Sequence, residues 1–245
     1  PGDQERMDLI NVQGTANLVN ACLDQGIRKI CHVSSIAAIG RAENDKVIDE
    51  EVVWKASRRN SHYAISKYGA EREVWRGMEE GLDAVIVNPS IILGPGEINS
   101  GSTRLIETVD SGLKFYTPGI NGFVDVRDVV KIMISLMESD ISGERFIVSA
   151  ENLTYKELFG YIARRLGKPQ PKYKAGKWMS EAYWRMQYIK SRITGTKPLV
   201  TRETARTANS NYTYSGKKLI ATLDYKYLTI EQSIVDACDY HLKDK

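Results

Sequence analysis

Lys29-Ile30-Cys31-His32-Val33 runs into Ser34-Ser35, and Asp83-Ala84-Val85-Ile86-Val87 runs into Asn88-Pro89-Ser90-Ile91-Ile92-Leu93-Gly94-Pro95. Both runs are short, mostly apolar and uninterrupted, which is how a strand covered on both faces reads. Each follows a segment with helical spacing. Ahead of the first, Leu9, Val12, Ala16, Val19 and Leu23 fall three or four apart between Asp3 and Gln25, and Gly26 stands where a helix ends. Ahead of the second, Ser61 to Glu80 reads as a helix closed by Gly81. Helix, buried strand, helix, buried strand is the rhythm of crossover units, and it predicts an α/β fold around a parallel sheet.

Farther along, Ser102 to Gly112 and Asp128 to Glu138 read as helices and Arg145 to Val148 as a short strand. Thr154 and Glu157 have the spacing of a capping box for a helix ending near Gly167. Residues 168–177 are rich in Pro, Lys and Gly and read as a connection to a Trp/Tyr/Met-rich helix over about 178–193. Thr229 with Gln232 caps a last helix. No repeat or low-complexity tract is visible.

Of the 245 residues, 42% are hydrophobic and 27% charged, which excludes a disordered chain and suits one sizeable core with a small lobe. No run approaches the ~18–20 apolar residues of a membrane span. The N-terminal Pro-Gly-Asp-Gln-Glu-Arg has no signal-peptide character. Three scattered cysteines, Cys22, Cys31 and Cys238, argue against a disulfide framework or a Cys-rich metal site, and no metal is expected; a reducing, cytoplasmic location fits. Charge is uneven. Residues 1–150 carry 16 Lys+Arg against 22 Asp+Glu and residues 151–245 carry 18 against 9, a net of −6 followed by +9. The basic end is either a solvated surface or a lobe that attracts an anionic ligand such as a nucleotide or a coenzyme A thioester. No motif supports nucleic acid.

The strongest chemical pattern is Tyr63-Ala64-Ile65-Ser66-Lys67. Residues four apart share a helix face, so the phenol and the ammonium can serve one site. In a parallel sheet the loops at the carboxyl ends of adjacent strands converge on one crevice. Ser34-Ser35 at the first strand end and the start of the next helix therefore meet there.

Four pieces match the extended short-chain dehydrogenase/reductase family, also called the NAD(P)-dependent epimerase/dehydratase superfamily, in order and spacing. They are Asn11 to Asn17, Val33 to Gly40, Tyr63 to Lys67 with Ala70-Glu71, and Val87 to Pro95; Phe123 to Val129 is family-like as well. The chain is identified as resembling that family over about residues 1–160. The resemblance implies a Rossmann-like doubly wound sheet in residues 1–150, incomplete on its N-terminal side, and a smaller mixed substrate lobe in 151–245. It implies NAD or NADP as cofactor, Tyr63 as acid/base, Ser35 (rather than Ser34) as the hydroxyl that holds the reacting oxygen, and Lys67 as a ligand of the nicotinamide ribose. Pro89 and Ile92 match positions that pack near the nicotinamide ring. An adjacent ammonium and a positively charged nicotinamide both favour the phenolate, so Tyr63 can exchange a proton with an alcohol or carbonyl. The family's Gly-rich phosphate turn and its NAD/NADP selector are not in this sequence; about 80 residues of crossover units are missing at ~30 per unit.

Within the family, Asn88-Pro89 to Gly94-Pro95, Ser34-Ser35-Ile36, and Ala70-Glu71 through Trp75 resemble the dihydroflavonol and cinnamoyl-coenzyme A reductase branch. Asn88 and Ile91 replace the Arg and Asn that nucleotide-sugar epimerases and dehydratases carry there. A carbonyl reductase or alcohol dehydrogenase is therefore the expectation, with a sugar-nucleotide enzyme and a non-catalytic binding protein as alternatives. The resemblance also implies a homodimer through the helices at 4–25 and 61–80. His32 reads as a satisfied core residue and His62 as a helix-start surface residue. Asn11 matches a family position that ties backbone segments together. Trp178, Tyr183, Trp184 and Tyr188 read as core or pocket lining; the interleaved Lys177, Arg185, Lys190 and Arg192 leave a membrane-surface role as the lesser alternative.

Overall fold

The computed structural model describes residues 2–40, 47–57, 60–96, 101–194 and 202–243. The chain opens with α1 (Gly2–Met7), a π-helical stretch (Asp8–Gln13), α2 (Gly14–Asp24), β1 (Lys29–Val33) and a 3-10 turn (Ile36–Ala38). There follow α3 (His62–Glu79), β2 (Asp83–Pro89), β3 (Ile91–Leu93), α4 (Thr103–Asp110), β4 (Phe115–Tyr116) and β5 (Ile120–Asp125). The remainder is α5 (Val126–Glu138), β6 (Glu144–Val148), β7 (Glu151–Thr154), α6 (Tyr155–Arg165), β8 (Tyr173–Lys174), α7 (Lys177–Thr194), α8 (Arg202–Thr207), α9 (Lys217–Leu223) and α10 (Ile230–Lys243).

These elements form two units. The first comprises Pro1–Ser90, Val126–Ala150 and Tyr214–Tyr227; the second comprises Ile91–Asp125, Glu151–Thr213 and Leu228–Lys245. Both units draw on both sides of residue 150, where the sequence reading sets a single boundary. The reason is pairing: β5 before that point pairs with β7 after it, and Ser215 N–H reaches back to the Ile48 carbonyl at 2.8 Å.

In the first unit β1, β2 and β6 form a parallel sheet in that order, with Lys29 opposite Asp83 and Val85 opposite Glu144. Even-numbered Ala84 and Ile86 of β2 join Val19, Cys22, Val74 and Leu82 in one buried cluster that packs α2 and α3 on the sheet. Val85 and Val87 point to the other face, and α5 lies against β1 and β2. Lys29 donates to the Leu136 and Ser139 carbonyls, both at 2.6 Å, placing a cation at the C-terminal end of α5. Among the described residues β1 lies at one edge of this sheet and β6 at the other.

The long first helix is continuous but not uniform. Gly14 N–H bonds the Leu9 carbonyl five residues back, the signature of a π turn. Downstream, α2 and α3 approach closely enough to need glycine. A Cβ on Gly77 would stand 2.5 Å from Val19 Cγ1, and Val19 is wholly buried and stiff at χ1. Gly77→Ala is therefore expected to lower stability by about 1–2 kcal/mol despite its better helix propensity. A lower urea midpoint with an unchanged m-value is the readout; an unchanged or raised midpoint would refute the close-packing account.

In the second unit β3 and β5 run parallel and β5 and β7 antiparallel. Thr154 and Glu157 make the full capping box at α6, and Gln232 N–H meets Thr229 Oγ1 at 3.3 Å at the start of α10. α7 departs from expectation. Trp178 is 91% exposed, and Tyr183 and Tyr188 are exposed too, so only the half-buried Trp184 of that set faces inward. The inward face of α7 is instead that of Ser180, whose Oγ accepts from Asn209 Nδ2 at 2.8 Å. The side chains of Lys190 and Arg192 lie outside the described residues.

Candidate active site

α3 starts where Ser61 caps it, its side chain accepting from Ala64 N–H at 3.0 Å. That cap sets Tyr63 in the first turn and Lys67 one turn on. Tyr63 is 41% exposed. Lys67 is half-buried and its Nζ donates to the Val33 carbonyl at 3.3 Å, fixing the ammonium at the carboxyl end of β1. Burial pushes the Lys67 amine down, and the nearby Glu71 carboxylate opposes that shift.

Ser34 and Ser35 leave β1 in opposite directions. Ser34 is buried, its hydroxyl turned to the buried Glu71 carboxylate. Ser35 is half-buried, and its Oγ accepts from Ala37 N–H at 3.2 Å as cap of the 3-10 turn, which leaves the hydroxyl proton for donation. Pro89 is buried at the end of β2, the strand paired with β1. Ile92 sits half-buried on β3, in the second unit, and is not placed with the other four by these contacts. His62 is exposed at the first position of α3, as expected.

Asn11 has a role that contacts now specify. Its Nδ2 donates to Ser66 Oγ at 3.0 Å, and Ser66 Oγ donates to the Tyr63 carbonyl at 3.0 Å. The π stretch thus braces the turn that carries Tyr63.

Beneath the site is a polar group that sequence reasoning missed. Glu71 is wholly buried, one turn beyond Lys67. Its Oε1 accepts from Asn88 Nδ2, its Oε2 lies 3.6 Å from Arg145 NH1, and the same Asn88 amide also donates to the Ser35 carbonyl at 2.9 Å. Burial pushes the Glu71 carboxyl up, while the Ser34 hydroxyl, then the Asn88 amide and the Arg145 guanidinium, pull it down. The available signal was a charged residue between Ala70 and Val74 on the face that packs inward.

His32 corrects an expectation. Its ring is mostly buried but Nε2 has no partner among the described residues. Burial, then the charge on Lys67, holds the imidazole down to about 4. An unfolded histidine takes up its proton near pH 6.5. Between pH 6.5 and 4 the unfolded chain therefore binds a proton that the folded one refuses. The folded state is expected to lose about 3 kcal/mol as pH falls through that window, with no further loss from this residue below it. Denaturant unfolding at pH 7 and at pH 4.5 checks this: His32→Leu should shrink the difference between the two, and an equal difference would refute it.

Comparison with known proteins places these features. A Synechocystis sp. protein named as a dihydroflavonol 4-reductase is 27% identical over 245 residues, covering 96% of this chain and 70% of the relative. Cinnamoyl-CoA reductase 1 of Petunia hybrida is 27% identical over 181 residues, covering 70% of this chain and 53% of the relative, so the chain spans about half of that protein. The crystal structure of gox2253 superposes with a TM-score of 0.82 at 30% identity, covering all of this chain and 75% of the other. The fold also matches that of DesIV, a dTDP-glucose 4,6-dehydratase from Streptomyces venezuelae solved with NAD and TYD bound, with a TM-score of 0.74 at 19% identity over 97% of this chain and 67% of the other. The family model for the NAD dependent epimerase/dehydratase family matches residues 3–149, the stretch that holds Ser35, Tyr63, Lys67 and the buried Glu71–Asn88 pair, and the chain belongs to that family.

Proposed function

We propose that this chain carries the proton-transfer site of an NAD(P)-dependent oxidoreductase that reduces a carbonyl or oxidises an alcohol. The observation that carries this reading is Lys67, its ammonium tied to the end of β1 one helical turn from the exposed Tyr63, with Ser35 at the same strand end. Tyr63 gives a proton to the carbonyl oxygen during reduction or takes one from the alcohol during oxidation. Ser35 Oγ–H donates to that oxygen and holds it in reach. Lys67 stabilises the phenolate and binds the nicotinamide ribose. Lys67 at the carboxyl end of β1 and the Ser35 hydroxyl at the same strand end support the reading that these residues would hold the nicotinamide end of the cofactor. Pro89, at the end of the neighbouring β2, would pack near the ring. When bound, the reduced cofactor would supply the hydride for carbonyl reduction and the oxidised cofactor would accept it from an alcohol.

One observation weighs against the sugar-nucleotide alternative. Ile91 stands where sugar-nucleotide enzymes carry the Asn that helps bind the diphosphate, and its apolar side chain offers a diphosphate no hydrogen bond. The basic residues of 151–245 support an anionic carbonyl substrate such as a thioester of coenzyme A. The deciding experiment is oxidation of NADH and NADPH by the protein containing this chain, screened against aldehydes, ketones, acyl thioesters and nucleotide sugars. Turnover confined to nucleotide sugars would overturn the assignment in favour of the alternative.

The reading extends to a homodimer through α1–α2 and α3. Leu9, Ile10, Leu18 and Ile65 are exposed on these helices, and a two-fold pairing of them would bury more than ~1,000 Å². Sedimentation as a monomer at micromolar concentration would count against it. The cysteines are unpaired, and burial pushes the Cys31 thiol up to about 11 and the Cys238 thiol up to about 12. Among the described residues no helix is long and apolar enough to cross a membrane.

A further inference from the structure

We propose that α7 is a docking surface for an anionic lipid bilayer, on which the protein lies without crossing it. The helix is turned inside out for a globular lobe. Trp178, Ala182, Met186 and Ile189 recur at spacings of four, four and three, which is one face of an α-helix, and all four are exposed. Met186 is 57% and Ile189 59% exposed. Ser180, Trp184 and Gln187, on the other side, are half-buried, and Ser180 is bound by Asn209. The unit therefore covers the more polar face of this helix and leaves the apolar one uncovered.

The neighbouring chain repeats the theme. β8 pairs with β4, and Tyr173 and Phe115 stand side by side, ring centres 5.6 Å apart, both exposed. The chain enters α7 within three residues of β8. Over residues 168–185 there are five basic side chains against one acid, Glu181; Lys168 pairs with Asp110 and Arg185 with Glu181, and Lys172, Lys174 and Lys177 are exposed.

Charge decides among occupants. A second copy on a two-fold axis would set this basic patch against itself, like charge on like. An anionic bilayer complements it, taking aromatic and Met side chains into the headgroup boundary while lysines meet the phosphates. The apolar residues also form a ridge on one helix, which suits a deformable interface.

Vesicle flotation tests the idea with the protein containing this chain. It is expected to float with phosphatidylcholine vesicles that contain phosphatidylglycerol, to stay behind with phosphatidylcholine alone, and to be released by high salt. A double variant, Trp178→Glu with Met186→Glu, is expected to lose at least 10-fold in bound fraction while melting as the parent does, because both side chains are exposed. Failure of the parent to float, or flotation of the double variant equal to the parent, overturns the proposal. So does a parent dimer that the double variant converts to monomer without lipid, or binding to soluble polyglutamate in place of vesicles. None of these outcomes depends on the assignment of Tyr63.

Discussion

Tyr63→Phe is expected to cut turnover by about 10²-fold or more, the usual scale for losing a positioned acid/base. The substitution removes one oxygen from a side chain that is partly exposed, so the fold should be unaffected within ~0.5 kcal/mol. Lys67 keeps its bond to the Val33 carbonyl, and the Tyr63 carbonyl keeps its bond from Ser66, since neither uses the phenol. The loss should therefore fall on kcat with cofactor affinity nearly intact. Steady-state kinetics on the best substrate from the screen, with cofactor binding measured separately, is the check. Turnover within a few-fold of the parent removes Tyr63 from the proton transfer and leaves the chain a binding protein or an enzyme of other chemistry.

The largest effect on stability is expected at Glu71. Glu71→Ala strips a wholly buried carboxylate from between Asn88 and Arg145. It leaves an amide and a guanidinium without their acceptor and opens a cavity under α3. A loss of about 3 kcal/mol is expected, the lower end for breaking a buried pair because Arg145 also bonds the Glu50 and Val52 carbonyls. On a domain of this size that lowers Tm by on the order of 10 °C. Glu71→Gln should be much milder. It keeps an acceptor for Asn88, and burial already disfavours the charged form of this carboxyl. Thermal melts of the two variants side by side decide it. If Gln costs as much as Ala, the ion pair with Arg145 rather than the Asn88 bond holds the cluster together.

What the sequence made legible was local. The apolar runs at 29–33 and 83–87, the helix from Ser61 that sets Tyr63 and Lys67 one turn apart, and the Thr154–Glu157 box each depend on residues within a few positions of one another. What it hid was pairwise and distant. Nothing near Glu71 announces Arg145, since their contact depends on the register of β2 with β6. His32 lies in a run that looks like any buried strand, and whether a ring nitrogen there meets a partner depends on residues distant in sequence. α7 shows the limit of periodicity: spacing groups Trp178 with Met186 and Ile189, but it cannot say whether that group faces in or out. The π stretch escaped for a related reason, because apolar residues at three and four serve an i−5 ladder almost as well as an i−4 one.

The two units exchange the chain five times, at residues 90, 125, 150, 213 and 227. Neither can be completed on a ribosome before the other is well begun. The sheet of the first unit is translated by Val148, yet Tyr214–Tyr227, which brings α9 against β6 and Tyr225 Oη to Asp128 Oδ1 at 2.8 Å, arrives much later. Nascent chains shorter than that expose a buried flank of β6 and must wait for it, a situation that favours slow, late folding over stepwise assembly. For anyone shortening the gene, the same weave means that a stop codon placed to discard the C-terminal lobe also unmakes the N-terminal one.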